Sequence, residues 1–532
     1  MKTNILKKYS LLLCTGMLMI SGCTKDFEDI NTNPSAYGAA TFDPNFTLTT
    51  AQLTYTGSID FAYDTWRGNL IYSSTMMQGL STVVSYWAGD KYLLNEGYTA
   101  AYWGSTTVGA YVEQVKPIVD IVEFTKGVPK YNNVRQVARL WKALIFERIT
   151  DLYGDAPYSE AGQGYYTGNL APKYDKQQAI YTDLLKEVEE ATNLLDVNGD
   201  KVTGDAIYKG DINKWKRFGN TLLLRIAMRL TKVDENTAKT YAQKVIGKTM
   251  TNNDDNAFIK HDVSGARVTQ NRNSQVLAGD GGQENYYVKW SQTFINKLKT
   301  ANDPRLGKVA VTGLFLDENT KTQNPNYSAD PLVQKGMPNG KDLSGIAGRD
   351  VRQDASYTTF PAYSSPNPAM IKKDGVSFIL TYTESELLLA EAAQRWAIGG
   401  SAAAHYASGL SAGITFLSQY DAGLAISSTI ADAYAAAHPY VAVNGLEMIN
   451  TQYWLHTCTM LDFYETWSNW RRSGFPVLTP VVYPGNATNG TIPRRFPYPV
   501  EEAAKNGVNY KAASAAVPGG DNLAGRVWWD KQ

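Results

Sequence analysis

Residues 133–153 read NVRQVARLWKALIFERITDLY and are followed by Gly154. Val134, Val137, Ala138, Trp141, Leu144, Ile145, Ile149 and Leu152 recur three or four positions apart. That spacing gathers side chains on one face of a helix. Gly154 is the residue type that ends one, since it enters left-handed backbone without a Cβ penalty. An amphipathic helix is therefore predicted over 133–153. The same periodicity runs through 177–195, 215–230, 382–397 and 446–467. An alanine-rich stretch at 401–420 adds another, although its glycines lower helix propensity. Shorter helices are predicted near 111–124, 238–246 and 290–298. Between them lie long stretches rich in Gly, Pro, Asn, Asp and Tyr, at 154–174, 251–287, 317–374 and 475–499. Loops of this length in a helical protein usually carry function or pack as subdomains. The pattern is mostly α, with helix pairs as a scaffold and loops built over it. No clean repeat is present, so any solenoid must be degenerate.

The chain has 532 residues, 43% hydrophobic and 19% charged, which is enough to bury a core and excludes wholesale disorder. Basic and acidic residues number 51 each. Lys2, Lys7 and Lys8 lie in residues 1–22, which contain no acid, so the remainder carries 48 against 51, or −3. A near-neutral body lacks the basic footprint that a nucleic-acid partner requires. Aromatics make up 12% of the chain, which points to large interfaces or flat-faced ligands.

The N-terminus reads as an address. Three lysines precede a short apolar core at 11–20, too short to span a bilayer. Ile20-Ser21-Gly22-Cys23 then forms a bacterial lipobox, in which Cys23 carries the lipid on its thiol. Residues 1–22 are thus expected to be a signal peptide, 23–43 a polar lipidated tether and 44–532 the body. Lys25, Asp26, Glu28 and Asp29 crowd behind the cysteine. With Cys14 removed and Cys23 acylated, Cys458 has no partner, so no disulfide framework is expected despite export. Cys458 reads as a small buried apolar residue. The next most apolar run, 222–230, is interrupted by Arg225 and Arg229. These arginines lie four apart on one apolar helix, so at least one must be buried and paired. The expected structural partners are Glu386 and Glu391 on another apolar helix.

Catalytic signals are weak. Gly409-Leu410-Ser411-Ala412-Gly413 matches a nucleophile elbow, but its surroundings have helix composition where a strand-to-helix turn is needed. The four histidines, His261, His405, His438 and His456, show no zinc spacing, and no metal site is expected. No cofactor is expected either. Asp196, Asn198 and Asp200 resemble the opening of a calcium loop, but Lys201 and Ile207 stand where glycine and a bidentate glutamate belong. A polar turn is the preferred reading there, with calcium as the alternative. Paired carboxylates for glycoside hydrolysis come from distant positions and cannot be read from spacing. Aromatic crowding stands out instead: Tyr86, Trp87 and Tyr92, then Tyr102 and Trp103, and then Tyr286, Tyr287 and Trp290 behind a glycine-rich turn. Trp87, Tyr286, Tyr287 and Trp290 are the candidate stacking platforms for a sugar or peptide. The competing reading is that they fill a core beneath the loops.

Several segments together resemble the SusD/RagB family of surface nutrient-binding lipoproteins. They are Asp151-Leu152-Tyr153-Gly154-Asp155-Ala156-Pro157-Tyr158, and Trp215-Lys216-Arg217-Phe218 running into Leu222-Leu223-Leu224-Arg225. Ala390-Glu391-Ala392, Glu465-Thr466-Trp467 with Arg471-Arg472, and Arg495-Phe496-Pro497-Tyr498-Pro499 complete the set. The resemblance covers essentially the whole mature chain. It implies degenerate tetratricopeptide-like helix pairs with a loop-built binding face, and a non-enzymatic role. It also implies a partner, a SusC-like TonB-dependent barrel, over which the protein would act as a lid at the outer membrane. The binding loops differ among family members, so no ligand contact is carried over. An oligosaccharide is the leading ligand and a peptide the alternative. A surface glycoside hydrolase, or a purely structural lipoprotein, is the reading from a different class.

Overall fold

The computed structural model describes residues 42–105, 107–279, 283–317 and 322–531. The signal segment, Cys23 and nearly all of the tether lie outside them. Helices carry the architecture: α1 (Pro44–Tyr55), α2 (Lys116–Phe124), α3 (Asn132–Tyr153), α4 (Gln177–Leu194), α5 (Ile212–Arg229) and α6 (Glu235–Val245). After a long loop region containing α7 (Gln292–Thr300) come α8 (Tyr382–Trp396), α9 (Ala402–Thr415), α10 (Ser428–Ala437), α11 (Gly445–Met460) and α12 (Phe463–Ser473). Consecutive helices pack in pairs, α2 on α3, α3 on α4, α4 on α5, α5 on α6, α8 on α9 and α9 on α10. This is the tetratricopeptide-like arrangement. Among the described residues no helix is long and apolar enough to cross a membrane.

The caps follow local chemistry. The Asp211 side chain accepts from Lys214 N at the start of α5, and Thr381 and Glu384 form a reciprocal capping box on α8. The periodic stretch at 446–467 is two helices rather than one. Leu461 adopts φ 61° and ends α11, and the Asp462 side chain then caps α12. Ser411 lies within α9 and donates to Asp432 at 2.6 Å, so no elbow is formed. Cys458 is fully buried.

Helices α3, α5, α8, α11 and α12 close a circuit, each packed on the next and α12 back on α3. Every one of them sends a polar side chain inward. Arg225 on α5 grips Glu147 of α3 through Nε (3.1 Å) and Nη2 (2.5 Å), with Glu384 of α8 at 3.6 Å. Arg229 donates to Asp151 of α3 at 3.1 Å and to Glu465 of α12. The Tyr453 hydroxyl of α11 bridges Glu384 and Glu465 at 3.0 and 2.8 Å. Both arginines are buried, at 3% and 1% exposure.

The acids differ from those expected from sequence. Glu386 lies on another face of α8 and bonds His405 at 2.8 Å, while Glu391 pairs with Arg472 and Arg395. The reason is that α5 touches α3 as well as α8, so its arginines reach acids on the helix running beside them. Burial opposes ionisation of Glu391, but Arg472 and Arg395 outweigh it and hold the carboxyl at about 2. At Glu384 burial dominates over Arg225 and pushes the carboxyl up to about 7.

Candidate functional site: an aromatic cleft

Of the proposed stacking residues, Trp87, Tyr286 and Trp290 are fully buried, so their assignment as open platforms is corrected. Trp290 stacks on Phe294 at 4.3 Å and donates Nε1–H to Val309 O at 3.0 Å. Tyr286 stacks on Phe360 at 5.4 Å within a small second core that includes Phe315 and Met337. Trp87 joins the main core. The physical reason is that Leu80 and Ser81 pair antiparallel with Trp290 and Lys289. This pairing buries Trp290, while in each of the couples Tyr86–Trp87 and Tyr286–Tyr287 one ring is buried and its neighbour is not. Tyr86 and Tyr287 are those neighbours, and both are half-buried at the cleft.

Two cavities make up the cleft and meet at Gln283, which lines both. The first, about 380 Å³, has an aromatic wall of Phe61, Trp66 and Tyr86. Phe61 meets Trp66 edge-on at 5.3 Å, and Trp66 meets Tyr86 edge-on at 6.3 Å. Arg267 lies over the Phe61 ring at 4.3 Å, and Gln270 and Gln275 line the same cavity. The second, about 460 Å³, is lined by Ser85, Lys91, Tyr287, Asp342, Arg349 and Tyr483, among others. The Tyr86 hydroxyl donates to Glu284, which lines the first cavity too.

The aromatic wall rests on unusual backbone. Trp66 sits on a π-helical segment, Thr65–Ser74, a geometry often found at functional sites. Asp64 caps it, accepting from Thr65 N and Ser58 N at 2.7 Å each. Burial raises the Asp64 carboxyl to about 6 despite those two bonds. Phe61 and Ala62 both adopt φ 52°, left-handed positions that cost non-glycine residues about 1–3 kcal/mol each. Arg272 braces this region from below. It is fully buried and donates to the carbonyls of Gly57, Arg267, Val268 and Gln270. It thereby ties the loop of Arg267 and Gln270 to the turn before Phe61. Gly57 allows this approach, since at φ 133° an added Cβ would lie 2.8 Å from Arg272 Cγ.

Charges in the second cavity are tied to one another. Asp342 receives two bonds from Arg349 (2.8 and 3.1 Å), one from Tyr483 (2.8 Å) and one from Ser344 Oγ (2.7 Å). Burial works against ionisation, but these bonds outweigh it and hold the carboxyl at about 2. Lys91 Nζ lies 3.5 Å from Asp90.

Elsewhere, the Asp200 carboxylate accepts from Asn133 N (2.6 Å) and Val134 N (3.2 Å), capping α3, while Asn133 Nδ2 donates to the carbonyls of Asp196 and Asp200. Of the three residues that resemble the opening of a calcium loop, Asp200 thus caps α3, while Asp196 Oδ1 accepts from Asn198 N at 2.9 Å. Among the described residues no group of three or more His, Cys, Asp or Glu is placed to hold a metal. Phe61 and Trp66 escaped the sequence reading, although the aromatic density of Phe61, Tyr63 and Trp66 was a usable signal.

A scaffold of tetratricopeptide-like helix pairs is the architecture of a known group of outer-membrane-associated proteins. The family profile described as "Starch-binding associating with outer membrane" matches residues 43–499, and the chain belongs to this SusD-like family. It is similar to a solved chitin-binding protein with 33% identity and a TM-score of 0.79, covering 92% of this chain and 100% of that one. A SusD-like protein from the Bacteroidetes shares the fold at 24% identity and a TM-score of 0.78, with 92% and 100% coverage. A chitin-binding SusD homolog from Flavobacterium johnsoniae shares it at 21% identity and a TM-score of 0.67, with 92% and 98% coverage. No curated protein matches the chain.

Proposed function

We propose that this protein is a cell-surface lipoprotein that binds oligosaccharides of N-acetylglucosamine in the aromatic cleft and hands them to a SusC-like TonB-dependent barrel. The observation carrying this reading is the Phe61–Trp66–Tyr86 wall, in a chain 33% identical to a chitin-binding protein. Aromatic faces stack on the C–H faces of sugar rings, and the surrounding amides and hydroxyls bond the sugar's rim. In the second cavity the pairing of Lys91 with Asp90 and of Arg349 with Asp342 favours a neutral group over an ionic one. Capture rather than hydrolysis is supported by the cleft acids. Glu284 is bonded to Tyr86 and Asp342 to Arg349, whereas hydrolysis needs two available carboxyl groups flanking one bond. Calorimetric titration with chitotetraose, maltotetraose and a mixed oligopeptide pool tests the ligand. Heat of binding from chitotetraose is expected, and binding of the peptides alone would favour the peptide reading instead. Anchoring rests on Cys23: Cys23→Ala should release the protein from membranes, and unchanged anchoring and processing would refute the lipid. Co-purification of a barrel with the tagged chain tests delivery.

A further inference from the structure

The short strand 289–290 runs between two cores. Successive residues of a strand point to opposite faces. Trp290 fills the main core, and Lys289 reaches into the rings of the second. Lys289 is fully buried. Its Nζ donates to Ser365 Oγ at 2.8 Å and lies 5.6, 5.7 and 5.6 Å from the ring centroids of Tyr286, Phe315 and Phe360. Among the described residues no carboxylate pairs with it. The acids of the elements around it are engaged elsewhere, Glu284 with Tyr86, Asp342 with Arg349 and Asp350 with Arg352. Lys335 lies over the ring of Tyr363, the other tyrosine of this core. A fully buried lysine without a partner acid is rare. Ring faces attract an ammonium, but far less than the water it leaves. Burial alone pulls the amine down to about 7, so the folded protein holds it uncharged above that pH and charged below it.

The second core shares residues with the cleft. Val83 belongs to that core and lines the second cavity, and Tyr287 and Leu343, which pack on the core, line it too. Val351 of the core donates its N–H to Asp342 O at 3.2 Å, so the core also holds the chain that carries Asp342. We infer that Lys289 is a pH-dependent positioning residue for the second cavity: in mild acid its ammonium cannot stay among the rings, the second core opens to hydrate it, and the cleft releases its ligand. An aliphatic side chain would fill the same space at every pH, whereas an amine fills it only while uncharged. Asp64, whose carboxyl is raised to about 6 beside the aromatic wall, is a separate source of pH dependence, and substitution at Lys289 tells the two apart. The release of ligand rests on the cleft being a glycan site; the opening of the core does not.

The test is hydrogen exchange and calorimetry on the whole mature chain between pH 8 and pH 5.5. In wild type, protection of 286–291 and 360–365, corrected for the intrinsic pH dependence of exchange, is expected to fall as pH drops through 7. Chitotetraose affinity should fall with it, by about thirtyfold when one proton with a midpoint near 7 closes the site to ligand. Lys289→Met keeps the length of the side chain and carries no charge. It should retain its protection and most of its affinity at pH 5.5. In thermal melts it should gain on wild type as pH falls from 9 to 7 and gain no more below, since the unfolded amine is already charged across that range while the folded one is not. Wild-type exchange reads the opening by itself, so the result does not hang on the variant folding. Unchanged wild-type protection across pH 7 overturns the opening. The same pH profile of binding in wild type and folded Lys289→Met overturns the role of Lys289 in releasing ligand. Absence of chitotetraose binding at every pH overturns the glycan reading, and the exchange data then decide the opening alone.

Discussion

Arg225→Met tests whether the inward-facing charges hold the helix circuit together. Methionine keeps much of the arginine's length and removes its charge. The substitution deletes both bonds to Glu147 and the 3.6 Å approach to Glu384. Glu147 is 2% exposed, so it cannot recover its hydration. Breaking a buried pair by removing one partner costs about 3–5 kcal/mol. Against a total stability of about 5–15 kcal/mol that is a large share. Melting entropy of about 2.1 cal/mol/K per residue gives about 1 kcal/mol/K for residues 45–532, so the melting temperature should fall by roughly 3–5 °C. The loss should also depend on pH. Without Arg225, the folded-state carboxyl of Glu147 titrates above its unfolded value. The penalty is then small below that value and grows as pH rises through the folded one. Calorimetric melts at pH 8 and pH 5 should show a wide gap from wild type at the first and a narrow gap at the second. No drop at pH 8, or an equal gap at both, would refute the reasoning.

Trp290→Ala should cost about 3–5 kcal/mol by opening a cavity between the β-pair and Phe294, read as a lower melting temperature. Chitotetraose affinity of the folded fraction should change far less than in Trp66→Ala. Glu384→Gln should flatten part of the pH dependence of stability. The carboxyl, raised to about 7, contributes stability in full below its unfolded value and loses it as pH rises through 7, so the variant should gain on wild type between pH 6 and pH 8 in thermal melts. Arg272→Met should strip hydrogen-exchange protection from 266–270 and weaken chitotetraose binding about tenfold, because four carbonyls lose their shared donor. Unchanged protection would show that the loop holds without it.

The helices were legible because apolar residues recur along them with one period. The stretch at 133–153 became α3 with one residue added, and 177–195 became α4 with one removed. The break at Leu461 was not legible, since a left-handed leucine leaves no mark in an apolar run. Loops offer no period at all. Tyr86 and Trp87, like Tyr286 and Tyr287, are adjacent aromatics of similar character, and only the tertiary packing, Trp87 in the main core and Tyr286 in the second, decides which ring is inside. The arginines' need for acids followed from burial alone, but the identity of the acids depended on α3 running beside α5, a tertiary fact.

The internal pairing of the cleft's second cavity bears on kinetics. With Lys91 held near Asp90 and Arg349 bound to Asp342, few charges remain there to draw a ligand in from a distance. Association then runs at the unsteered rate, about 10⁵–10⁶ M⁻¹s⁻¹, and is nearly indifferent to ionic strength. Retention must come from slow release off the aromatic wall, so capture should work as well in brine as in fresh water.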